Sequence, residues 1–423
     1  PGPVDATINV DTLRHFQTMT GWEATAQADQ EDPGFSGWQN QLMDLAGNDL
    51  GINRLRVEVT SGAENPADNF TLSLAGQVNW STVRYQAIND NNDPNVINPA
   101  GFHFSQVDLE YTSIVLPLRQ RLEARGEHLY LNLNYVSFNH GGVIHGDPAE
   151  YAEFLLALFL HLRDTFGVVP DAVEVILEPD NGTIWTGSSI GAGIAAAGQR
   201  LAAAGFHPDF IAPSVTNMAN AVPYLNAMVQ VPGVAAYLKE FAYHRYAGVS
   251  AANLQAIASR GAALGLRTAM LEHIGSGVED LYDDLTIGQV SAWQQFTLAF
   301  PGADNGAQYY SIVGGVPVIG SRTLGLRQYF RYVRAGAVRV GAASDNAAVV
   351  RPVAFTNVGN APVVVLHMAR AAAIALHGLR PGNYGVTTSD PAHAALADLT
   401  AGAGGSLTVN VPSAAIVTVY SKP

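Results

Sequence analysis

Two short segments of this chain carry an apolar, strand-like run straight into a glutamate followed by polar, turn-prone residues. They are Val173-Glu174-Val175-Ile176-Leu177-Glu178-Pro179-Asp180 and Arg267-Thr268-Ala269-Met270-Leu271-Glu272-His273. A parallel strand buried on both faces reads as a continuous apolar run, and in a βα barrel the C-terminal ends of the strands face the active site. Two carboxyl groups presented in this way suit hydrolysis of a glycosidic bond, one as acid/base and one as nucleophile. Glu272 would then need a cation and hydrogen-bond donors to stay ionised, whereas Glu178 must hold a proton at working pH. For each glutamate alone, the alternative is a salt-bridged residue at a strand end.

Other residues with suitable chemistry lie near strand ends. In Phe241-Ala242-Tyr243-His244-Arg245-Tyr246, alternation puts one pair inside a barrel and the other against helices; His244 and Tyr246 are taken as the inward pair. Asn132 and Asn134 share one face of their strand and could bind sugar hydroxyls, the alternative being barrel-layer packing. Trp22, Trp80, Trp185 and Trp293 are candidate stacking platforms, Trp185 foremost because it follows the Glu178 loop; Trp293 sits in an apolar, helix-like pattern and is expected in the core. Glu23 and Glu58 are rival carboxylates, better suited to hydrogen bonding with substrate or scaffold than to catalysis.

These residues require a scaffold, and apolar runs of strand length alternate with segments of helical period as in βα units around a parallel sheet. The eight strands are expected near 19–23, 53–59, 129–134, 173–178, 210–215, 240–246, 267–272 and 307–312. Asp147-Pro148-Ala149-Glu150 supplies an N-cap, a proline at the first helical position and a capping-box glutamate. Tyr151, Phe154, Leu155, Leu158, Phe159 and Leu162 then fall on one face. From about Ala337 the pattern changes to short β-rich runs, an all-β module that the strand Ala6 to Val10 would help complete. The expected organisation is an N-terminal strand (1–18) joining a β-sandwich, a (β/α)8 TIM barrel (19–335) and the β-sandwich itself (336–423), with a rigid interface because no low-complexity linker divides them. The long stretch from Gly62 to Ser105, rich in Asn, Asp and Pro, should shape a cleft or lid.

Composition narrows the function. The 423 residues include 22 basic and 36 acidic side chains, a formal charge of −14, which disfavours nucleic acid and anionic membrane surfaces as partners. There are no cysteines, hence no disulfide, thiolate metal site or cysteine nucleophile. No apolar stretch is long enough to insert across a bilayer. The 12 histidines show no zinc spacing, the Gly-Ala stretch 187–205 lacks the dinucleotide fingerprint and reads as a small-residue helix, and Asn89-Asp90-Asn91-Asn92-Asp93 lacks the EF-hand spacing and reads as a solvated turn. No cofactor is expected. The opening Pro1-Gly2-Pro3 shows no leader, so any signal peptide is expected to have been removed or never to have existed; a secreted or periplasmic location is the expectation.

Several motifs in order resemble the retaining glycoside hydrolases of the (β/α)8 clan, most closely family 30. His15-Phe16-Gln17-Thr18-Met19-Thr20-Gly21-Trp22-Glu23 resembles that family's passage from sandwich into barrel, and Gly51-Ile52-Asn53-Arg54-Leu55-Arg56 its second strand. Glu178-Pro179-Asp180 is similar to the acid/base motif and Leu271-Glu272 to the nucleophile. Tyr329 to Gly341 and Val411 to Thr418 resemble the last helix and the sandwich strands. The resemblance implies a retaining β-glycosidase acting on a carbohydrate, with Arg56 contacting the nucleophile Glu272 and Glu178 as acid/base. One position departs: the clan usually has asparagine before the acid/base, bonding the sugar 2-hydroxyl, and this chain has Leu177. Asn134, Asn132 or His244 could supply the missing donor, or the substrate could differ at its 2-position. A noncatalytic carbohydrate-binding protein on the same scaffold and an inverting glycosidase remain open at this stage.

Overall fold

The computed structural model describes residues 3–138 and 144–422. Pro1 and Gly2, on which the expectation about a leader partly rests, lie outside the described residues. After β1 (Ala6–Thr18), eight parallel strands close a barrel: β2 (Gly21–Thr25), β3 (Arg54–Thr60), β4 (Tyr130–Val136), β5 (Ala172–Glu174), β6 (Asp209–Asn217), β7 (Leu238–Ala247), β8 (Arg267–Glu272) and β9 (Val290–Pro301). β9 pairs with both β8 and β2, which completes the ring.

The eighth strand differs from expectation. The run near 307–312 forms β10 (Gln308–Val313), which lies outside the ring, parallel to the far end of β9 and in a hairpin with β11 (Val316–Ile319). The true eighth strand contains Ser291, Gln294, Gln295 and Thr297, which break up the apolar run and lend it a helix-like period. Those polar residues are tolerated because the inside of this barrel is itself polar. Trp293 is fully buried, as expected, but on a strand rather than a helix. The fourth barrel strand, expected to run to Glu178, stops at Glu174. Irregular backbone contacts continue it: Val175 N–H donates to Ile211, Leu177 N–H to Tyr135 and Glu178 N–H to Ser214.

The barrel core explains the order of the interior. Small and apolar strand residues (Ala172, Ile211, Ala242, Ala269, Leu271, Ala292) pack together. A buried charge network lies inside the ring with them. Arg54 pairs with Glu23 at 2.7 Å and with Glu240 at 2.9 Å, all three without exposure, so each of these groups has a hydrogen-bonded partner of opposite sign, as burial demands.

Outside the ring, α1 (Pro148–Phe166) has the expected N-cap, with Asp147 accepting from the Ala149 N–H at 2.8 Å and Pro148 in the first turn. Its expected capping-box partner behaves otherwise: Glu150 accepts from the Asn89 amide at 3.3 Å, drawn to a tertiary partner in the long connection. The small-residue helix appears as α2 (Gly187–Ala203), and Gly198 packs where a Cβ would sit 2.4 Å from the Tyr237 ring.

A second, mostly antiparallel, nine-stranded sheet comprises β1 and the strands from Val338 to Ser421. Its two edge strands, Ala395–Ala401 and Leu407–Val411, contact each other, so the sheet curls as a sandwich over its own core of Ile8, Val340, Leu366, Ile374 and Val417. The helix α3 (Ser321–Phe330) packs between barrel and sandwich, with Thr418 donating to the Gln328 carbonyl at 2.6 Å. No helix among the described residues is long and apolar enough to cross a membrane.

Candidate active site

At the C-terminal mouth of the barrel, side chains from three strands and one loop converge. Glu272 ends β8, 6% exposed, and its Oε2 accepts from Arg56 Nη2 at 2.5 Å. Its other oxygen accepts from the Tyr246 hydroxyl at 2.9 Å. Arg56, unexposed on β3 across the ring, also donates to Glu58 at 3.1 Å and to the Leu271 carbonyl at 3.3 Å. Burial alone would raise the Glu272 carboxyl, but the Arg56 charge, the nearby His244 and the two hydrogen bonds together hold it below the usual glutamate range. Glu272 is thus an ionised carboxylate facing the mouth.

Glu178 arrives by a different route. Its backbone adopts a left-handed conformation, φ 51°, an unusual one for a non-glycine residue, at the break between strand and the following turn. This kink is anchored by Asp180, whose carboxylate accepts from the Thr216 and Asn217 N–H groups at 2.7 and 3.0 Å and from the Asn220 amide at 2.9 Å. Glu178 itself accepts from Asn181 at 2.9 Å and meets His244 Nδ1 at 3.0 Å. One ligand-type atom each from Glu178, His244 and Glu272 lies within 4.8 Å of the other two. These three could in principle share a cation, but Arg56 already supplies the positive charge at Glu272, and a second cation beside it would be repelled.

Of the residues singled out from sequence, Glu178, Glu272, Arg56, His244 and Tyr246 come together here. Asn134 faces the interior between Glu58 and Glu174 in register, fully buried, with neither amide atom hydrogen-bonded. Asn132 lies one layer deeper and donates to Glu23 at 3.1 Å and Glu174 at 2.9 Å, so it belongs to the buried scaffold rather than to a sugar site. Trp22 is likewise misplaced by expectation. It points out of the ring, stacks on Phe330 at 4.5 Å and donates to the Val333 carbonyl, with no exposed face for a sugar. Trp185 is 5% exposed and wedged edge-on against Tyr135 and Tyr151, a packing residue under the Glu178 loop. Glu23 serves the buried network described above.

A cavity of about 170 Å³ opens beside Arg56, lined by Glu58, Gln27, Trp80, Tyr85, Arg84 and Phe300 among others. Gln27 donates to Glu58 at 2.9 Å, and Phe296 lies under the Arg56 guanidinium at 5.6 Å. Burial and the Glu272 charge outweigh Arg56 and push the Glu58 carboxyl up. Gln27, Asn181, Phe296 and Phe300 were missed from sequence. The first two lie just past the ends of β2 and of the Glu178 segment and could have been found as strand-end residues; the last two lie on β9, whose strand character was not recognised.

If Glu272 attacks as a nucleophile it must be ionised, and the acid limb of kcat/KM then follows its protonation. Because its carboxyl is depressed, activity present above the ordinary glutamate value of 4.5 is lost only when pH falls below it. Replacing Arg56 with Gln removes the opposing charge and leaves burial dominant, so the acid limb is expected to move to higher pH. A pH–rate profile of R56Q whose acid limb coincides with that of the wild type would refute this assignment of the charge.

No protein-family model and no curated protein matches the sequence. The fold is similar to solved structures along its whole length. The catalytic domain of a glycoside hydrolase family 30 xylanase C from Talaromyces cellulolyticus matches at TM-score 0.74 and 16% identity, covering 99% of this chain and 100% of that one. A family 30 endoxylanase from Clostridium papyrosolvens gives TM-score 0.69, 19% identity and coverage of 99% and 100%. An endo-β-1,6-glucanase gives 0.70 and 14%, covering 100% of this chain and 94% of that one. The chain therefore has the barrel-and-sandwich fold of the family 30 glycoside hydrolase structures, at sequence identities that establish the fold alone.

Proposed function

We propose that this protein is a retaining β-glycoside hydrolase that cleaves an oligo- or polysaccharide, with Glu272 as nucleophile and Glu178 as acid/base. The observation that carries the reading is the close approach of these two carboxyl groups, within 4.8 Å at their nearest ligand-type atoms. A retaining pair stands about 5 to 5.5 Å apart, whereas an inverting pair needs about 6.5 to 9.5 Å to admit water between acid and base. The narrow gap favours double displacement over inversion, and the intact Arg56–Glu272–Tyr246 arrangement favours an enzyme over a noncatalytic binding protein. Similar structures named as xylanases and a glucanase support a glycan as substrate. In this reading 19–335 is the catalytic barrel, 336–423 with 1–18 the sandwich, and the location is secreted or periplasmic.

Glu272 attacks the anomeric carbon while Glu178 protonates the departing oxygen, giving a glycosyl-enzyme. Glu178, now a carboxylate, then takes a proton from the water that releases the sugar. His244, within 3.0 Å of Glu178, and Tyr246, on Glu272, orient the pair. A hydrolysis panel of polysaccharides and aryl glycosides, with product anomers followed by NMR, tests the proposal: first release of the retained anomer supports it, and first release of the inverted anomer overturns it.

Leu177 is 7% exposed, and its N–H is held by the Tyr135 carbonyl. The substrate that suits this chain already accommodates leucine here. L177N is therefore expected to leave kcat/KM unchanged or lower on the best substrate of the panel. A rise of tenfold would show that the missing asparagine limits this enzyme.

A further inference from the structure

The two buried arginines of the barrel hold their carboxylates differently. Arg54 clasps Glu240 at two points, Nη1 to Oε2 at 3.1 Å and Nη2 to Oε1 at 2.9 Å. Arg56 meets Glu272 at one point only, through Nη2. The same nitrogen donates to Glu58 Oε1 at 3.1 Å, so its two N–H groups serve two different carboxylates. Nη1 is turned to the Leu271 carbonyl at 3.3 Å, and Nε is buried without a partner. Arg56 therefore makes no two-point pair with the proposed nucleophile, and Glu58 takes one of the hydrogens that such a pair could use.

Glu58 is bonded as a carboxylate, since Oε1 accepts from Arg56 and Oε2 from the Gln27 amide at 2.9 Å. Its neighbour Glu110, on the helix Ser105–Glu110, accepts from the Glu58 N–H at 3.2 Å. Burial and the Glu58 charge push the Glu110 carboxyl well above the usual glutamate range, so the proton of that pair stays on Glu110 and the negative charge on Glu58. Around the two carboxylates that share Arg56 stand Glu174 on β5, His244 and Tyr246 on β7, Tyr85, Glu178 and His273. We propose that Glu58 is a positioning residue for the nucleophile: it draws part of the Arg56 charge away from Glu272, holds the guanidinium to a single-point contact, and so leaves Glu272 a stronger base and a better attacking group than Arg56 alone would allow. Arg56 alone would give an ionised but tightly held carboxylate. With Glu58 beside it, Glu272 is ionised and still reactive. The role rests on the reading of Glu272 as nucleophile.

The test compares wild type, E58Q and E58D as full chains. E58Q keeps the shape and an oxygen for Arg56 but removes the charge, whereas E58D keeps the charge. In E58Q the acid limb of kcat/KM on the best substrate of the panel is expected to move to lower pH by about one pH unit, because a negative neighbour of Glu272 is gone, and the plateau should fall about threefold or more as the nucleophile weakens. In E58D the limb should move less than half as far. The same shift is read without turnover by ¹³C NMR of protein labelled at the glutamate carboxyl carbons, with E272Q identifying the Glu272 resonance. A limb and a resonance that titrate in E58Q where they do in wild type, or at higher pH, overturn the proposal; with a lowered Tm, that result marks Glu58 as a structural brace. An E58D shift equal to that of E58Q also overturns it, since the charge would not be the cause. Turnover retained by E272Q would remove the nucleophile itself and the role with it, and the NMR comparison keeps that outcome distinct because it reads the coupling of Glu58 to Glu272 in the absence of turnover.

Discussion

Replacing Glu272 with Gln is expected to lower kcat on every substrate by roughly 10⁴-fold or more, the scale seen when a covalent nucleophile is removed from a site that otherwise stays intact. The substitution keeps shape and volume. Its amide oxygen can still accept from Arg56, and Glu58, 3.1 Å from the same guanidinium, still balances that buried charge. The fold should survive, with an unchanged far-ultraviolet circular dichroism spectrum and a Tm within a few degrees of wild type. On the proposed mechanism, what is lost is the negative oxygen that attacks carbon, for which an amide is no substitute. Substrate binding should persist, because the cavity lining is untouched. Turnover above about 1% of wild type, after correction for contaminating activity, would remove Glu272 as nucleophile. An inactive variant that is also unfolded would show instead that the Arg56–Glu272 pair is needed for stability, since breaking a buried pair can cost about 3 to 5 kcal/mol.

The parts of the site that could be read from sequence are those where side-chain type and strand period agree. Glu178 and Glu272 stand out because an apolar run ends abruptly in a carboxylate, and His244 and Tyr246 follow from the alternation of one strand. The same alternation, applied to Gly21-Trp22-Glu23, sends Trp22 outward once Glu23 is inside. The attraction of an aromatic residue as a sugar platform hid this, and the structure packs Trp22 on Phe330. Asn132 and Asn134 share a face, but only depth within the ring separates a scaffold donor from the unbonded amide one layer above it, and depth is set by strand stagger rather than local sequence. β9 was misread because Gln294 and Gln295 look unfit for a buried strand, and a polar barrel interior is a collective property of all eight strands. Glu150 has the spacing of a capping-box residue, yet Asn89, far away in the chain, captures it. Local signals name the candidates, and long-range partners decide between them.

Glu178 makes the second large prediction, and its value lies in how the loss depends on substrate. Alanine at this position should reduce kcat/KM on a natural glycan by about 10³-fold, within the usual 10²- to 10⁴-fold contribution of general acid catalysis. An alkoxide leaving group requires that proton. A nitrophenolate does not, so kcat/KM for an activated aryl glycoside, which reports the first step, should fall by less than about tenfold. The second step still needs Glu178 as base, so kcat on the aryl glycoside should fall while the glycosyl-enzyme accumulates and KM drops with it. Azide, an anion that needs no base, should fit the space vacated at the mouth and restore kcat, yielding a glycosyl azide of retained configuration. Local structure should tolerate the change, because the turn is held by the three hydrogen bonds to Asp180 rather than by Glu178, whose side chain is 12% exposed. Equal losses of kcat/KM on both substrates would remove Glu178 as the acid, and a glycosyl azide of inverted configuration would remove the covalent intermediate altogether.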